Sequence, residues 1–541
     1  MAMGAAMRRR LMSRGLWRPL ALRWNHRGSS IDASRLEFSK RNHVIEKQLA
    51  TYYPSVSTLA SDRVVTIEQF HERYAAIEGD EAAMVCQVNG RIKNIRFSGK
   101  RICFIDLCNT RSSKSLQLIV NASKVDASLQ ERFEADLRFL KVGDYIQGSG
   151  YPGLSQRQRT VSLKCTELPR ILSCAQMPLP PRLSDASKVK QNRVVDYQVN
   201  RRAIETLMLR QTIVNSIRSW LNERQFVEVE TPILSSQSNG AAAEPFITRS
   251  NSLPKESAQL ELRVAPELWL KRLIIGGFDK VYEIGKVFRN EGIDAIHNPE
   301  FTTLEFYQTF LSMHQLISLS ESLFKRIVLD LHKHHSNETL ESLVKELESA
   351  NWKFRRLEFL PTLSQELAVD LTKLDLSDTE MLYNVVPPEL KLARGLSPQQ
   401  ILNKLSSVFI EQRHCNSLLP TVLYHHPTVM SPLAKTNTLD PAVTKRFEVF
   451  VKGKEYINAY EEENCPQMQL AKFEQQSQSN KLYKDKESLN VDYRYVEAMK
   501  WGMPPIGGFG LGIDRLCMLL LDKSRIEDVL AFGCLDDVNR Q

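Results

Sequence analysis

The residues best suited to chemistry in this chain sit in three short strings. The first is FRNEGIDAIHNPEFTTLEFY (288–307). Period-two alternation puts Phe301, Thr303, Glu305 and Tyr307 on one face of a strand, and Arg289 and Glu291 share a face near the end of the strand before it. An arginine fork can grip a carboxylate and a phosphate as they approach each other, and Phe301 offers an aromatic face to a purine. The second string is GMPPIGGFGLGIDRL (502–516), where Gly507, Gly508, Gly510 and Gly512 clear side chains from a strand so that something flat can lie against it. Arg515 follows where strand passes into helix. This is neither a G-x-G-x-x-G dinucleotide fingerprint nor a GK[ST] phosphate loop. The third is RFEVFVKGKEYINAYEEEN (446–464), in which Glu448 and Glu455 flank Gly453. A tight turn at KGK would bring both carboxylates to one site, where hard oxygen ligands suit Mg²⁺ held against phosphates. Glu462 could instead face a cationic group. Together these types equip a site for joining a carboxylate to a nucleotide α-phosphate, with positive charge where the transition state gathers negative charge.

Each string alone has a plainer reading: a charged surface hairpin, a glycine-rich barrel corner, a solvated acidic face. Their co-occurrence in one chain is what argues for a site.

The elements around them indicate an α+β domain. LMLRQTIVNSIRSWLNERQF (207–226) has helical spacing and runs straight into a strand, VEVETPIL (227–234). Strands DKVYEIGKVFRN and FTTLEFYQTF flank a polar loop, residues 311–348 and 397–412 have helical spacing, and the last stretch returns to strand. Strands with helices inserted between them predict an antiparallel sheet flanked by helices. Upstream, 81–172 is a run of short alternating strands with glycine turns, which suggests a small antiparallel barrel. Residues 31–80 have a helical and polar character, and the proline cluster MPLPPRLSD (177–185) suggests an interdomain linker. The expected divisions are 1–30, 31–80, 81–172, a linker at 173–200, and 201–541 with a helical insertion at about 311–412.

A chain of 541 residues is too long for one ordinary domain. It has no run of 18 apolar residues, so no membrane insertion is expected. Its nine cysteines never form a CxxC pair, which favours a reducing compartment over a zinc site or disulfide framework. Arg8, Arg9, Arg10, Arg14, Arg18, Arg23 and Arg27 all precede the first acid, Asp32, with Leu11, Leu16, Trp17, Leu20, Leu22 and Trp24 among them. That is the composition of a mitochondrial transit peptide. Removing those seven charges takes the formal net charge from +9 to +2, so overall basicity says nothing about nucleic acid. A local excess remains in Arg91, Lys93, Arg96, Lys100, Arg101, Arg111 and Lys114.

The order and spacing of the helix with VEVETP, the arginine hairpin and the glycine-rich strand resemble the three motifs of class II aminoacyl-tRNA synthetases. Within that class, SNGAAAEPFIT (238–248), LRVAPELWLKRL (262–273), FRNEGIDAIHNPEFT, HPTVMSPLAK (426–435) and FEVFVKGKEYINAYEE resemble the lysyl-tRNA synthetases over roughly 81–535. The transit-like start suggests a mitochondrial form working in the matrix. The resemblance implies an N-terminal OB-fold β-barrel that binds the anticodon, followed by a class II catalytic domain, with ATP, L-lysine and tRNA(Lys) as substrates, Mg²⁺ accompanying ATP, and a homodimer packed through the first motif. It implies that Arg289 binds ATP and the lysine carboxylate and that Arg515 holds the γ-phosphate. Glu291, His297, Asn298 and Phe301 would complete the nucleotide site, Glu448 and Glu455 would hold magnesium, and Gly240, Glu267 and Glu305 would surround the α-amino end of lysine. Tyr307, Asn458 and Glu462 would lie nearer its side-chain ammonium. In the barrel, Phe104 would stack on an anticodon base, Gln117 would bond it, and Arg91 would join them. The chain departs from the family pattern at Asn239-Gly240, at Glu244, and in PPIGGFGLGIDR. Aspartyl and asparaginyl enzymes of the same subclass need cations for their substrates, whereas Glu305 and Glu462 suit a basic side chain. An inactive binding paralogue would have no use for Arg289, Arg515 and both metal-type glutamates.

Overall fold

The computed structural model describes residues 28–533, apart from 60, 111–113, 157–158, 238–239, 242, 255–257 and 485–490. Nearly all of the expected leader at 1–30, with Arg111 and Asn239, lies outside the described residues. Two compact units divide the chain, Met1–Leu183 and Ser184–Gln541.

In the first unit a helix, α1 (Gly28–Lys47), precedes five strands: β1 (Cys86–Ser98), β2 (Ile102–Cys108), β3 (Leu116–Asn121), β4 (Tyr145–Leu154) and β5 (Val161–Cys165). Their order is β1-β2-β3-β5-β4, and pairing of β1 with β4 closes the barrel. Alternation decides its inside: Cys103, Ile105, Leu107, Leu116, Leu118 and Val120 are fully buried. Residues 31–80 are less independent of the barrel than their polarity suggests. Ile67 and Phe70 are fully buried in its core, Val64–Val65 pair in parallel with β1, and Arg41 of α1 reaches the buried Asp144 at 2.5 Å.

After two short helices, the second unit runs through α2 (Arg201–Glu223) and β6 (Val227–Glu228), then α3 (Glu267–Ile275), β7 (Lys280–Phe288), β8 (Glu300–Thr309) and α4 (Met313–His332). There follow β9 (Arg355–Glu358), α5 (Pro398–Ser406), β10 (Thr421–Tyr424), β11 (Arg446–Val451), β12 (Lys454–Glu461), α6 (Pro466–Tyr483), α7 (Tyr493–Met499), β13 (Ile506–Gly512) and α8 (Ile513–Leu520). These strands make one sheet in the order β9-β10-β11-β12-β13-β8-β7-β6. Its central pairings are antiparallel as expected, but β6 and β9 join the two edges in parallel. Leu304 and Phe306 of β8 pack with Ile213, Trp220, Phe324 and Leu516 of α2, α4 and α8 on one face. The intervening Thr303, Glu305 and Tyr307 face a cavity on the other.

Three stretches differ from their sequence pattern. The strand expected at 227–234 is broken into Val227–Glu228 and Leu234–Ser235, which pair with different sheets. Pro232, with no N–H to donate, stands between them. Span 311–412 is interrupted by β9, and its later helices gather round a core of their own that includes Phe359, Leu363, Ile401, Leu405 and Ile410. The end of span 173–200 is folded: Asp185 and Asn192 cap the short helices Ala186–Gln191 and Arg193–Val199, and Arg193 is buried against Asp196 and the Leu530 carbonyl. No helix among the described residues is long and apolar enough to cross a membrane.

Candidate active site

A cavity of about 790 Å³ opens on the face of the sheet away from α2 and α4, and all fourteen residues of the second unit to which the resemblance gives a site role line it. Arg289, at the end of β7, and Phe301, at the start of β8, come from strands that pair along their whole length, so the polar loop between them forms a lip. The Arg289 guanidinium lies 5.2 Å from the Phe301 ring centroid. On the lip Asp294 bonds His297 Nδ1 at 2.8 Å, and Arg515 donates to His297 Nε2 at 2.6 Å. Arginine can only donate, so Nε2 accepts and Nδ1 carries the proton shared with Asp294. Arg515 also bonds the Glu455 carbonyl at 3.2 Å, which holds it across the cavity from Arg289.

The floor is β13. Its glycines sit opposite Glu305 and Tyr307 of β8 and Asn458 and Tyr460 of β12. A Cβ on Gly508 would come within 2.0 Å of Glu462 Oε1 and 2.5 Å of the Tyr307 ring. Glycine is therefore required there so that the acid and the ring can meet. Gly240 meets the cavity with φ +106°, backbone that suits glycine, and a Cβ there would lie 3.1 Å from the Glu267 side chain.

The turn between β11 and β12 is tight: Lys452 and Gly453 both take positive φ, 51° and 68°. With a bulge at Val449/Phe450, the hairpin turns both Glu448 and Glu455 toward the cavity. Enclosure works against Glu448 ionising, but Arg446 and His426 outweigh it and hold the carboxyl down to about 2. Enclosure, and then Glu448 itself, push Glu455 up to about 7 against the pull of Arg515 and Arg446. Two facing carboxylates whose repulsion is only partly offset by arginines form a hard-oxygen donor pair that fits a divalent cation.

At the other end the cavity is walled by acids. Glu267, Glu305 and Glu462 are 5, 8 and 2% exposed. Tyr307 donates to Glu305 at 3.0 Å and Tyr460 to Glu267 at 2.7 Å. Burial, then Glu267, push Glu305 up to about 8. Burial also drives Glu462 well above the usual carboxylate range, with Lys271 opposing. Such a pocket is chemically suited to ammonium groups, because cations remove the cost of ionising its walls.

Sequence reasoning passed over Lys271, Tyr460, Arg446 and His426. Tyr460 was legible, two residues before Glu462 on the same strand face, and Lys271 stands one helical turn after Glu267. Arg446 was legible in the same way, two residues before Glu448 on β11, whereas His426 reaches Glu448 by tertiary folding that no spacing announces.

In the first unit Phe104 and Gln117 are half-buried on the outer face of the barrel, while their chain neighbours Cys103, Ile105, Leu116 and Leu118 fill the core. Gln117 pairs with Asp106 across the strands and bonds it at 3.4 Å, and Arg96 reaches the same carboxylate. Arg91, further along β1, lies 4.4 Å over the Tyr145 ring.

A family model described as tRNA synthetases class II (D, K and N) matches residues 185–535. The mitochondrial lysine–tRNA ligase of Saccharomyces cerevisiae is 53% identical over 95% of this chain and 94% of its own length. That of Schizosaccharomyces pombe is 38% identical over 92% of this chain and 93% of its own. A lysine–tRNA ligase of Streptococcus thermophilus is 36% identical over 87% and 92%.

Since Glu305 is raised, its carboxyl is neutral below about pH 8 and ionises as pH passes that value. The infrared band of a protonated acid, taken as wild type minus Glu305→Gln, should persist at pH 7 and fade with a midpoint of about 8. A difference band already gone at pH 6 would make Glu305 an ordinary carboxylate.

Proposed function

The chain belongs to the class II tRNA synthetases, and on that premise we propose that it is a mitochondrial lysine–tRNA ligase of the matrix, which activates lysine with ATP and passes it to the 3′ end of tRNA(Lys). The observation that carries this is the conjunction, in one cavity, of the Arg289–Phe301 pair with the buried acids Glu267, Glu305 and Glu462. An acid-walled pocket selects a basic amino acid, which separates lysine from the aspartate and asparagine substrates of the same subclass.

Arg289 orients the lysine carboxylate and the α-phosphate together, and Phe301 stacks on adenine. Glu291, His297 and Asn298 complete the nucleotide site, and Arg515 holds the γ-phosphate. Gly240, Glu267 and Glu305 surround the α-ammonium of lysine, while Tyr307, Asn458 and Glu462 meet its side-chain ammonium. A lysine carboxylate oxygen forms a bond to the α-phosphorus as the bond to the leaving pyrophosphate breaks. The nucleophile is already an anion at neutral pH, so no general base is needed, and catalysis is positioning plus charge neutralisation. Glu448 and Glu455 are the residues that would hold Mg²⁺, which supplies charge neutralisation for the phosphates. In the barrel, Phe104, Gln117 and Arg91 read the anticodon by stacking and hydrogen bonding, as single-stranded RNA is commonly read.

The ligase works as a homodimer through the region of α2 and Pro232. Val227, Ile233, Leu234 and Ile247 are large apolar side chains left exposed there, which supports burial against a second copy. Light scattering should give about twice the mass of the mature protomer. Full activity of a monomer at nanomolar concentration would refute the dimer.

ATP–pyrophosphate exchange with each amino acid in turn should respond to lysine alone. Glu462→Gln should lower kcat/KM for lysine by tens to hundreds of fold, since an unpaired buried ammonium costs roughly 2–4 kcal/mol. ATP should be nearly unaffected; equal losses for both substrates would remove Glu462 from the lysine subsite. The double change Phe104→Ala, Gln117→Ala should weaken tRNA charging by about 1–3 kcal/mol for the lost stack while adenylate formation stays intact. A parallel fall in pyrophosphate exchange would count against a separate anticodon reader.

A further inference from the structure

Lys271 has 0% of its surface exposed, less than any other Lys or Arg among the described residues. It lies one turn after Glu267 on α3, and its Nζ is 2.5 Å from Glu267 Oε1. The same Nζ contacts Glu462, which follows the end of β12. The rings of Tyr307 and Tyr460 flank the ammonium, with centroids 5.9 and 5.6 Å away. It is thus fenced inside the acid-walled end of the cavity, on the carboxylates assigned above to substrate.

The other charges nearby are spoken for. From β7, Glu283 pairs with Arg263 at 2.5 Å. From β11, Arg446 is taken by Glu448 at 2.5 Å. From α3, Arg272 pairs with Asp492 at 3.2 Å. Arg289 stands toward the nucleotide end beside Phe301. What remains is three carboxyl groups, Glu267, Glu305 and Glu462, against the single ammonium of Lys271; when bound cations draw all three into the ionised form, two negative charges are left to be paired. Lysine carries two ammonium groups, and its carboxylate goes to Arg289. A complex with lysine is then neutral at this end. A monocationic amino acid would leave one buried carboxylate unpaired, at a cost of several kcal/mol or of a proton taken up.

We propose that Lys271 is a specificity-determining residue for the ligase reaction: its ammonium permanently fills one of three cation positions set by Glu267, Glu305 and Glu462, and so leaves charge and room for the two ammonium groups of lysine. This rests on the ligase reading above. Burial opposes the charge on Lys271, but Glu267 and Glu462 outweigh it and keep the group an ammonium, as a resident cation must be. The same Nζ contacts both Glu267 and Glu462, so one ammonium ties the two acids together.

The test uses the full-length protein with Lys271→Met, which keeps length and removes charge, and Lys271→Ala, which leaves space. In lysine-dependent pyrophosphate exchange the Met variant should raise the lysine KM by more than about tenfold at pH 7, with kcat changed far less. That KM should fall more steeply than the wild type's as pH rises from 6.5 to 8.5, because without Lys271 the carboxyl groups hold more protons that lysine must displace. ATP binding, followed by calorimetry, should stay within about twofold of wild type if the nucleotide end is intact. Ethylammonium added to the Ala variant should restore the lysine KM, and ethanol should not; this arm carries the test if the Met variant does not fold. A lysine KM unchanged at every pH in a folded Met variant, equal loss of ATP binding, or rescue by ethanol as good as by ethylammonium would each overturn the proposal. Lysine-dependent exchange by the wild type separates the two claims: its absence sinks the ligase reading and this inference together, while its presence leaves the variants to judge Lys271 alone.

Discussion

A carboxylate taken out of water must be given a cation, a proton or a set of donors, or the fold loses several kcal/mol. The second unit gathers Glu267, Glu305, Glu448, Glu455 and Glu462 round one cavity, and much of the surrounding architecture answers that constraint. Arg446 and His426 hold Glu448 ionised. Lys271 stands between Glu267 and Glu462, and tyrosine hydroxyls donate to Glu267 and Glu305. What is left uncompensated is what a ligand can supply: ammonium groups at one end and a divalent cation with its phosphates at the other. On the function proposed for it, the site would bind by completing a charge pattern that the protein's own groups leave short.

The sheet makes that arrangement affordable in space. Glycines in β13 let side chains from the two neighbouring strands lie almost on its backbone, so acids from β8 and β12 meet over a floor with no side chains of its own. Behind the floor, Phe306 and Phe509 stack at 4.5 Å, and Phe226 meets Phe306 at 5.1 Å. This packed aromatic layer keeps the strands from shifting. A site that depends on charges standing a few ångströms apart needs such a backing, since Coulomb terms in a low dielectric change steeply with distance. The tight turn at Lys452–Gly453 does the same work for the metal-type pair.

Beneath the cavity, Arg263 joins the segment around Thr231 to the central sheet. It bonds Glu283, the Thr231 hydroxyl and the Lys286 carbonyl, in space that Gly285 leaves open by lacking a Cβ. The segment beside Pro232 is therefore tied by hydrogen bonds to β7, the strand that Arg289 follows.

The pattern of types along the chain determined a good deal. Period-two alternation in 301–307 put Phe301, Thr303, Glu305 and Tyr307 on one face, glycine spacing marked β13 as a floor, and KGK between two acids announced a turn that brings them together. These are local rules, in which backbone period or turn chemistry dictates direction. The five-stranded barrel was legible for the same reason. Other features rest on partners far apart in sequence. Nothing in the string 31–80 shows that Ile67 and Phe70 complete the barrel core, or that β9 breaks a helical insertion to extend the sheet. Polar segments ending at 184–200 gave no sign of the buried Arg193, whose partner carbonyl lies at Leu530. In the site itself, sequence supplied the acids but not their charge. Whether Glu305 or Glu455 ionises is decided by burial and by groups that only the fold brings near, because electrostatic free energy depends on distance and surroundings that residue order does not record.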